Sequence, residues 1–144
     1  MSQAPEFDGL MDGLRAEWLA LQAHHEQYER AALGIKLLAV ALCALAFSHW
    51  AAVARGLWLL IGLLWLQEAI FKTFQGRLGE RLLRVEALLR EPDAAPGQAM
   101  QLHSEWLAGR AGGLGLLREY LRSACRPTVA FPYPVLMALS AWMA

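Results

Sequence analysis

Residues 37–54 read LLAVALCALAFSHWAAVA and contain no side chain with a fixed charge. As a helix that rises about 1.5 Å per residue, this stretch is about 27 Å long, close to the hydrocarbon thickness of a bilayer. The Arg-Gly pair at 55–56 follows and predicts a tight turn. Residues 57–71, LWLLIGLLWLQEAIF, form a second apolar stretch that only Glu68 interrupts. Together the two stretches predict a transmembrane helical hairpin over residues 35–74.

The composition favours a membrane protein over a water-soluble domain. Hydrophobic residues make up 57% of the 144-residue chain and charged residues 18%, which is more apolar than a typical soluble domain. Two buried helices of a soluble bundle are the alternative, but so long a charge-free run is rare in soluble folds. The formal net charge is zero, so nucleic acid is not an expected partner. Cys43 and Cys125 form no CxxC motif and are expected to be free thiols.

An apolar seam precedes the first apolar stretch and returns after the second. Its residues alternate at four- and three-residue spacing, which places them on one stripe of a helix that a partner helix must cover. Trp18 and Leu21 are therefore expected to pack against the leg that carries Leu82 and Val85, in a coiled-coil-like bundle. His25 is a polar interruption of the kind that fixes pairing. The seam comprises Phe7, Met11, Leu14, Trp18, Leu21, His25, Tyr28, Ala32, Ile35, Phe71, Leu78, Leu82, Val85 and Leu89.

Basic residues predict the orientation of the hairpin. They concentrate at its open end, whereas Arg55 alone marks the turn, so both legs and the N-terminus are expected in the cytoplasm of a bacterium. Residues 1–29 are polar and include acids, unlike a secretory signal, so we expect the first apolar stretch to be retained. The basic residues at the open end are Arg30, Lys36, Lys72, Arg77, Arg81 and Arg84.

The sequence beyond the hairpin predicts further helices. Residues 91–97, EPDAAPG, indicate a helix end and a loop. A third helix is expected from about residue 98 to 108, and it resumes over 114–125 with Leu114, Leu117 and Leu121 on one side. The glycines at 109, 112, 113 and 115 either allow close packing or mark a break; their spacing does not fit a phosphate loop, and no strand precedes them.

The C-terminal segment, residues 127–144, has no charged side chain. Prolines at 127, 132 and 134 leave 135–143 as uninterrupted helix, about 15 Å long or half a bilayer. Such a segment lies in the interface, re-enters the bilayer or docks on a partner, and a full crossing would need protein against its extended part. Arg118, Arg122 and Arg126 precede it as a stripe that either is solvated or contacts anionic lipid headgroups.

Few residues suggest chemistry. Glu68 is the one carboxylate inside a predicted span, and an ion pair with Lys72 or Lys36 is favoured over a proton relay. Metal binding would need two ligands on one face, and His25 with Glu29 is the one suitable local pair. A structural role is favoured for these residues, and no metal or other cofactor is expected. No nucleophile-elbow sequence or catalytic acid pair occurs, so no catalytic residue or small-molecule substrate is assigned.

These observations predict an all-α integral membrane protein. It would consist of a cytoplasmic amphipathic helix over 1–34, the hairpin over 35–74, cytoplasmic helices over 75–126 and a membrane-associated segment over 127–144. The leading hypothesis is a non-enzymatic accessory or scaffold subunit of a bacterial inner-membrane complex that binds a membrane protein or its own copies. The alternative is a homo-oligomeric channel or pore-forming effector, lined by His49, Gln67 and Glu68, and an enzyme comes third. The expected partner contacts are Trp18, Leu21 and His25 in the seam, and Phe131, Tyr133 and Trp142 in the tail.

Overall fold

A computed structural model describes residues 4–49, 51–90, 98–109 and 112–142. Within these ranges the regular structure is entirely α-helical, which confirms the all-α prediction. The predicted loop at 91–97 lies outside the described residues. The helices are α1 (Ala4–His49), α2 (Ala51–Arg90), α3 (Leu102–Ala108), α4 (Gly113–Ala124), α5 (Pro127–Ala130) and α6 (Tyr133–Trp142).

The two long helices pack antiparallel as a hairpin. Glu17 pairs with Arg81 across the legs, and Lys36 pairs with Glu68. The sequence midpoint of each pair lies within two residues of position 50. The predicted turn at 55–56 is therefore wrong, because both residues lie inside α2. A glycine within a helix costs only about 1 kcal/mol relative to alanine. Moving the turn to 55–56 would shift α2 along α1 by about ten residues and separate every such pair.

Two hydrophobic cores hold the legs together. The seam core, far from the hairpin turn, is formed by Leu14, Leu21, Leu82 and Val85, with Trp18 packed against it. The tail core, nearer the turn, joins α1, α2 and α6 through Ala39, Cys43, Leu57, Ile61, Tyr133 and Leu136. In the seam core, full burial of each large apolar side chain from water contributes about 1.5–3 kcal/mol. Cys43 and Cys125 are both free thiols.

The C-terminal segment packs against the hairpin. Val129 in α5 and Leu136 and Ser140 in α6 are buried. Tyr133 was expected to contact a partner, but it is buried within the chain together with Leu136, because α6 turns one face onto α1 and α2. The C-terminal segment runs in the same direction as α1, since Lys36 contacts Thr128 of α5 and Cys43, further along α1, contacts Leu136 of α6.

The glycines after α3 mark the ends of helices. Gly109 follows the last residue of α3, and Gly112 precedes the first residue of α4. A Cβ built on Gly112 or Gly113 would meet no atom within 4 Å. Of the two alternatives left open by the sequence, the structure favours a helix break at these two positions over close packing.

Most of the apolar surface of the hairpin faces outward. α1 and α2 are long enough and apolar enough to cross a membrane. Only 17% and 22% of the residues in their most apolar windows are buried within the chain, whereas the core helix of a soluble protein would be mostly buried. Exposed large side chains on the apolar stretches include Leu37, Leu45, Phe47, Leu59 and Leu63.

Candidate functional site

A buried carboxylate cluster lies where the C-terminal segment meets the hairpin. Glu68 of α2 has no exposed surface. Its Oε1 lies 2.9 Å from the Nζ of Lys36 on α1, and its Oε2 accepts a hydrogen bond of 2.6 Å from the hydroxyl of Tyr133 on α6. Lys36 also donates to the carbonyl oxygen of Thr128 in α5. A buried charge requires such partners, because an unpaired carboxylate in an apolar interior is costly.

Trp65 covers this cluster. Its ring is stacked on Tyr133, with ring centroids 6.1 Å apart and planes 9° from parallel. Its indole N–H donates a 3.1 Å hydrogen bond to the carbonyl oxygen of Ala124 at the end of α4. Trp65 and Tyr133 thus pack through their apolar rings while their polar tips are satisfied, as buried Trp and Tyr require. The arrangement fixes α4, α5 and α6 to the same part of the hairpin.

Lys72 does not contact Glu68, which was one of the two pairings considered. Its Nζ lies 2.6 Å from Oε2 of Glu29 on the opposite leg. The same oxygen accepts a 2.6 Å hydrogen bond from Gln75, whose amide also donates to the carbonyl oxygen of His25. The hydrogen bonds from Lys72 and Gln75 hold the pKa of Glu29 below its usual range. Lys72 therefore pairs across the hairpin with Glu29, whereas Lys36 and Tyr133 bind Glu68.

A second charged network crosses the seam core. Arg81 is buried and forms two parallel contacts with the carboxylate of buried Glu17, of 2.9 and 3.0 Å. It also lies 2.7 Å from Glu105 of α3 and donates to the carbonyl oxygen of Gln98. The backbone N–H of Met100 donates to Glu17 over 2.6 Å. These contacts tie the chain that follows α2 back onto the legs.

Sequence reasoning missed this second network, although it left a signal. Glu17 lies three residues after Leu14 and four before Leu21, on the seam face of α1. Arg81 lies four residues before Val85, on the corresponding face of α2. Opposite charges on two apolar faces that must pack together indicate a buried ion pair, since an unpaired charge there would be strongly destabilising.

The proposed partner-binding residues are divided between the interior and the surface. Leu21 and Tyr133 are buried within the chain, so neither offers surface to a partner in this fold. The indole N–H of half-buried Trp18 donates to Glu86 over 3.1 Å, and half-buried His25 lies beside Gly79. Phe131 and Trp142, in contrast, are 69% and 80% exposed.

The three arginines proposed for lipid headgroups are exposed. Arg118 and Arg122 lie on α4, and Arg126 lies at the corner between α4 and α5. The same helix exposes a leucine stripe, which we define as Leu114, Leu117 and Leu121. α4 therefore combines an apolar stripe with basic residues on its solvent side, although its Glu119 binds Arg77 of the hairpin over 2.8 Å.

Comparison of the chain with protein-family models, with curated proteins and with solved structures gives no match. Within the described ranges there is also no group of three or more His, Cys, Asp or Glu side chains placed to hold a metal ion.

Proposed function

We propose that this chain is a non-enzymatic accessory or scaffold subunit of a bacterial inner-membrane protein complex. Its hairpin is inserted with the N-terminus in the cytoplasm, and its exposed helices bind a membrane protein or a second copy. The observation that carries the proposal is the distribution of polarity around the hairpin. The charged groups at the level of the apolar stretches are paired inside, at Lys36 and Glu68, while the outward side chains are largely leucine, phenylalanine and tryptophan.

The position of the ion pairs along the legs supports insertion. From Glu29 to the end of α1 at His49 the helix rises about 30 Å, one hydrocarbon thickness. The pair of Glu29 and Lys72 then lies at the cytoplasmic surface, where long basic side chains reach headgroups. The pair of Lys36 and Glu68 lies about 10 Å deeper, where ionisable groups are expected to face the protein interior and bind each other.

The distribution of basic residues supports the orientation. The positive-inside rule depends on the number of lysines and arginines, and acids contribute little. Arg77, Arg81 and Arg84 therefore favour a cytoplasmic open end even though each is paired with a glutamate. Arg55 is the one lysine or arginine of the sequence between Lys36 and Lys72.

The leucine stripe and the tail are the surfaces that we propose for a partner. Leu114 is 86% exposed, and Leu117 and Leu121 are exposed by more than half. A stripe of this spacing on an amphipathic helix is suited to a facing helix. Phe131 and Trp142 extend the apolar surface along the C-terminal segment, and tryptophan is enriched among residues that dominate binding energies.

The channel alternative receives less support from the fold. A residue that lines an ion path must reach solvent within the pore, but Glu68 is enclosed between Lys36 and Tyr133. His49 has no described side chain. A pore through Glu68 would require the C-terminal segment to detach from the hairpin first.

A matched pair of leucine substitutions tests the proposal. Leu117→Ser changes the leucine stripe, whereas Leu83→Ser changes an equally apolar, exposed side chain on α2. Both proteins are expected to remain in the membrane after alkaline carbonate extraction, because neither substitution changes the apolar stretches 37–54 and 57–71. Leu117→Ser is expected to reduce the yield of the stoichiometric complex, or of the dimer measured by light scattering in mild detergent, by about tenfold or more.

Two results would contradict the proposal. Release of the wild-type chain by alkaline carbonate would show that the hairpin is not inserted in the membrane. The scaffold function would be contradicted if the wild-type chain were monomeric and had no stoichiometric partner. It would also be contradicted if the wild-type chain conducted cations in liposomes.

A further inference from the structure

A polar pocket of about 290 Å³ lies between the two legs of the hairpin and the corner that joins α4 to α5. It is large enough for a phosphate group with bound water, since a water molecule takes about 30 Å³ in the liquid. Its lining includes His25 and Glu29 from α1, Lys72 and Gln75 from α2, and Arg126 and Thr128 from the corner. No residue of this pocket belongs to the buried carboxylate cluster except Thr128, whose backbone carbonyl binds Lys36.

The side chains around the pocket are mainly hydrogen-bond donors. Lysine, arginine, glutamine and threonine side chains can each donate to an anionic oxygen, as can histidine in either charge state. Arg126 has no ion-pair partner among the residues that the structure describes. Three hydrogen bonds hold the backbone of Arg126 at the corner. Its N–H donates to the carbonyl oxygen of Ser123, and its carbonyl oxygen accepts from the N–H groups of Val129 and Ala130.

Among the lining residues that the structure describes, Glu29 is the one carboxylate. Lys72 and Gln75 both bind its Oε2, so much of its charge is already compensated. The side chain of Glu29 is also 62% exposed, and water screens its effect on a bound anion. With Lys72 matched against Glu29, Arg126 gives the pocket an excess of one positive charge.

Under the proposed function, on which this inference rests, the pocket lies at the level of the lipid headgroups. Glu29 and Lys72 are about one hydrocarbon thickness from the turn of the hairpin. Arg126 immediately precedes the uncharged C-terminal segment that packs along α1 and α2. A cationic pocket between helices on the cytoplasmic side is the arrangement in which lipid phosphates bind.

We propose that this pocket binds a phosphate group, supplied by the headgroup of a phospholipid at the cytoplasmic surface. Arg126 provides the charged fork that matches phosphate oxygens, as arginine does in phosphate sites generally. Lys72 and His25 contribute further donors from the two legs. The bound lipid would join the hairpin to the corner that begins the C-terminal segment.

Gly76 offers a direct test, because it also lines the pocket and a Cβ built on it meets no atom within 4 Å. Gly76→Leu would fill the pocket without a clash at its Cβ, and leucine favours helix more than glycine does. Gly34→Leu is the matched control, since Gly34 lies in α1, outside the pocket, with open space around its Cβ. Arg126→Ala removes a cation that has no ion-pair partner among the described residues. Arg15→Ala is its control, because Arg15 is 69% exposed on α1 and does not line the pocket.

The full chain, purified in mild detergent, is titrated with phosphatidylglycerol, and bound lipid is counted by native mass spectrometry. We expect one retained lipid in the wild type, Gly34→Leu and Arg15→Ala, and at least tenfold weaker binding in Gly76→Leu and Arg126→Ala. Diacylglycerol, which lacks the phosphate, should not be retained. Circular dichroism checks that each variant is folded, and if Gly76→Leu does not fold, the exposed Arg126 decides the result.

Inorganic phosphate distinguishes the two sources of the ligand. Displacement of the retained lipid by millimolar phosphate would support recognition of the phosphate group itself. Thermal stabilisation by inorganic phosphate without retention of any lipid would overturn the lipid source. Equal lipid binding by Gly76→Leu, Arg126→Ala and the wild type, or equal retention of diacylglycerol, would overturn the pocket. Failure of the proposed function has a separate sign, the release of the wild-type chain by alkaline carbonate.

Discussion

Arg81→Ala should be among the most destabilising single changes outside the apolar stretches. Arg81 is the centre of the network that joins both legs to α3, with three contacts to Glu17 and Glu105 between 2.7 and 3.0 Å. Its removal leaves the carboxylate of Glu17 buried in the seam core with the backbone N–H of Met100 as its described donor. The loss in free energy of unfolding therefore comes mainly from the buried carboxylate that has lost its cation, and only in part from the lost contacts.

The expected loss is about 3–5 kcal/mol, the range observed when one partner of a buried ion pair is removed. Glu105 adds little, because it is one-third exposed and keeps its 2.7 Å contact with Arg84, and exposed pairs are worth about 0–1 kcal/mol. For a chain of this length the loss corresponds to a fall in Tm of roughly 6 to 20 °C. Glu17→Met added to Arg81→Ala removes the buried, unpaired carboxylate and should recover part of the lost free energy of unfolding.

The matched control is Arg30→Ala, another arginine paired with a glutamate. Its side chain is 82% exposed and lies 3.5 Å from Glu26, so the expected change is within about 0.5 kcal/mol. Both variants are melted in the same mild detergent, followed by tryptophan fluorescence and circular dichroism. If the Tm of Arg81→Ala falls no further than that of Arg30→Ala, the network is not buried in the folded protein and the reasoning fails.

Three further results are expected. Tyr133→Phe should lower the free energy of unfolding by about 1.5–3 kcal/mol, the value of a hydrogen bond to a charged group, whereas Tyr28→Phe should change it little; equal melts would refute the contact. The pKa of Glu29 is lowered in the folded chain, so its ionised, paired form stabilises the fold above the ordinary carboxyl pKa of 4.5, and this stabilisation is lost as the pH falls through the lower folded pKa. The Tm of Glu29→Gln should therefore differ least from that of the wild type in acid. A difference in Tm that stays constant from pH 3 to 7 would contradict this linkage. In a cysteine-free background Ala52→Cys should react with an impermeant thiol reagent in intact cells and Ala95→Cys only after permeabilisation, and the reverse pattern would invert the orientation.

The helices of this chain follow from its sequence better than their register does. Charge-free stretches and a seam of four- and three-residue spacing are sufficient for two long helices that pack together. The expected contact of Trp18 and Leu21 with Leu82 and Val85 is itself centred near position 51, so it was already incompatible with a turn at 55–56. A local glycine signal is weak, about 1 kcal/mol, whereas the register of a hairpin is set by every pair along both legs.

The position of the tail could not be derived in the same way. Its composition predicts a short apolar helix, but an apolar face is equally satisfied by lipid, by a partner or by the chain's own hairpin. Lipid, a partner and the hairpin can be distinguished by the buried charges of the hairpin, which need hydrogen-bond partners from elsewhere in the sequence. Glu68 and Lys36 need additional partners in an apolar environment, and Tyr133 and the carbonyl oxygen of Thr128 supply them. A buried charge in the hairpin and a tyrosine after two prolines in the tail are thus complementary, and recognition of that pair would have placed the C-terminal segment against the hairpin.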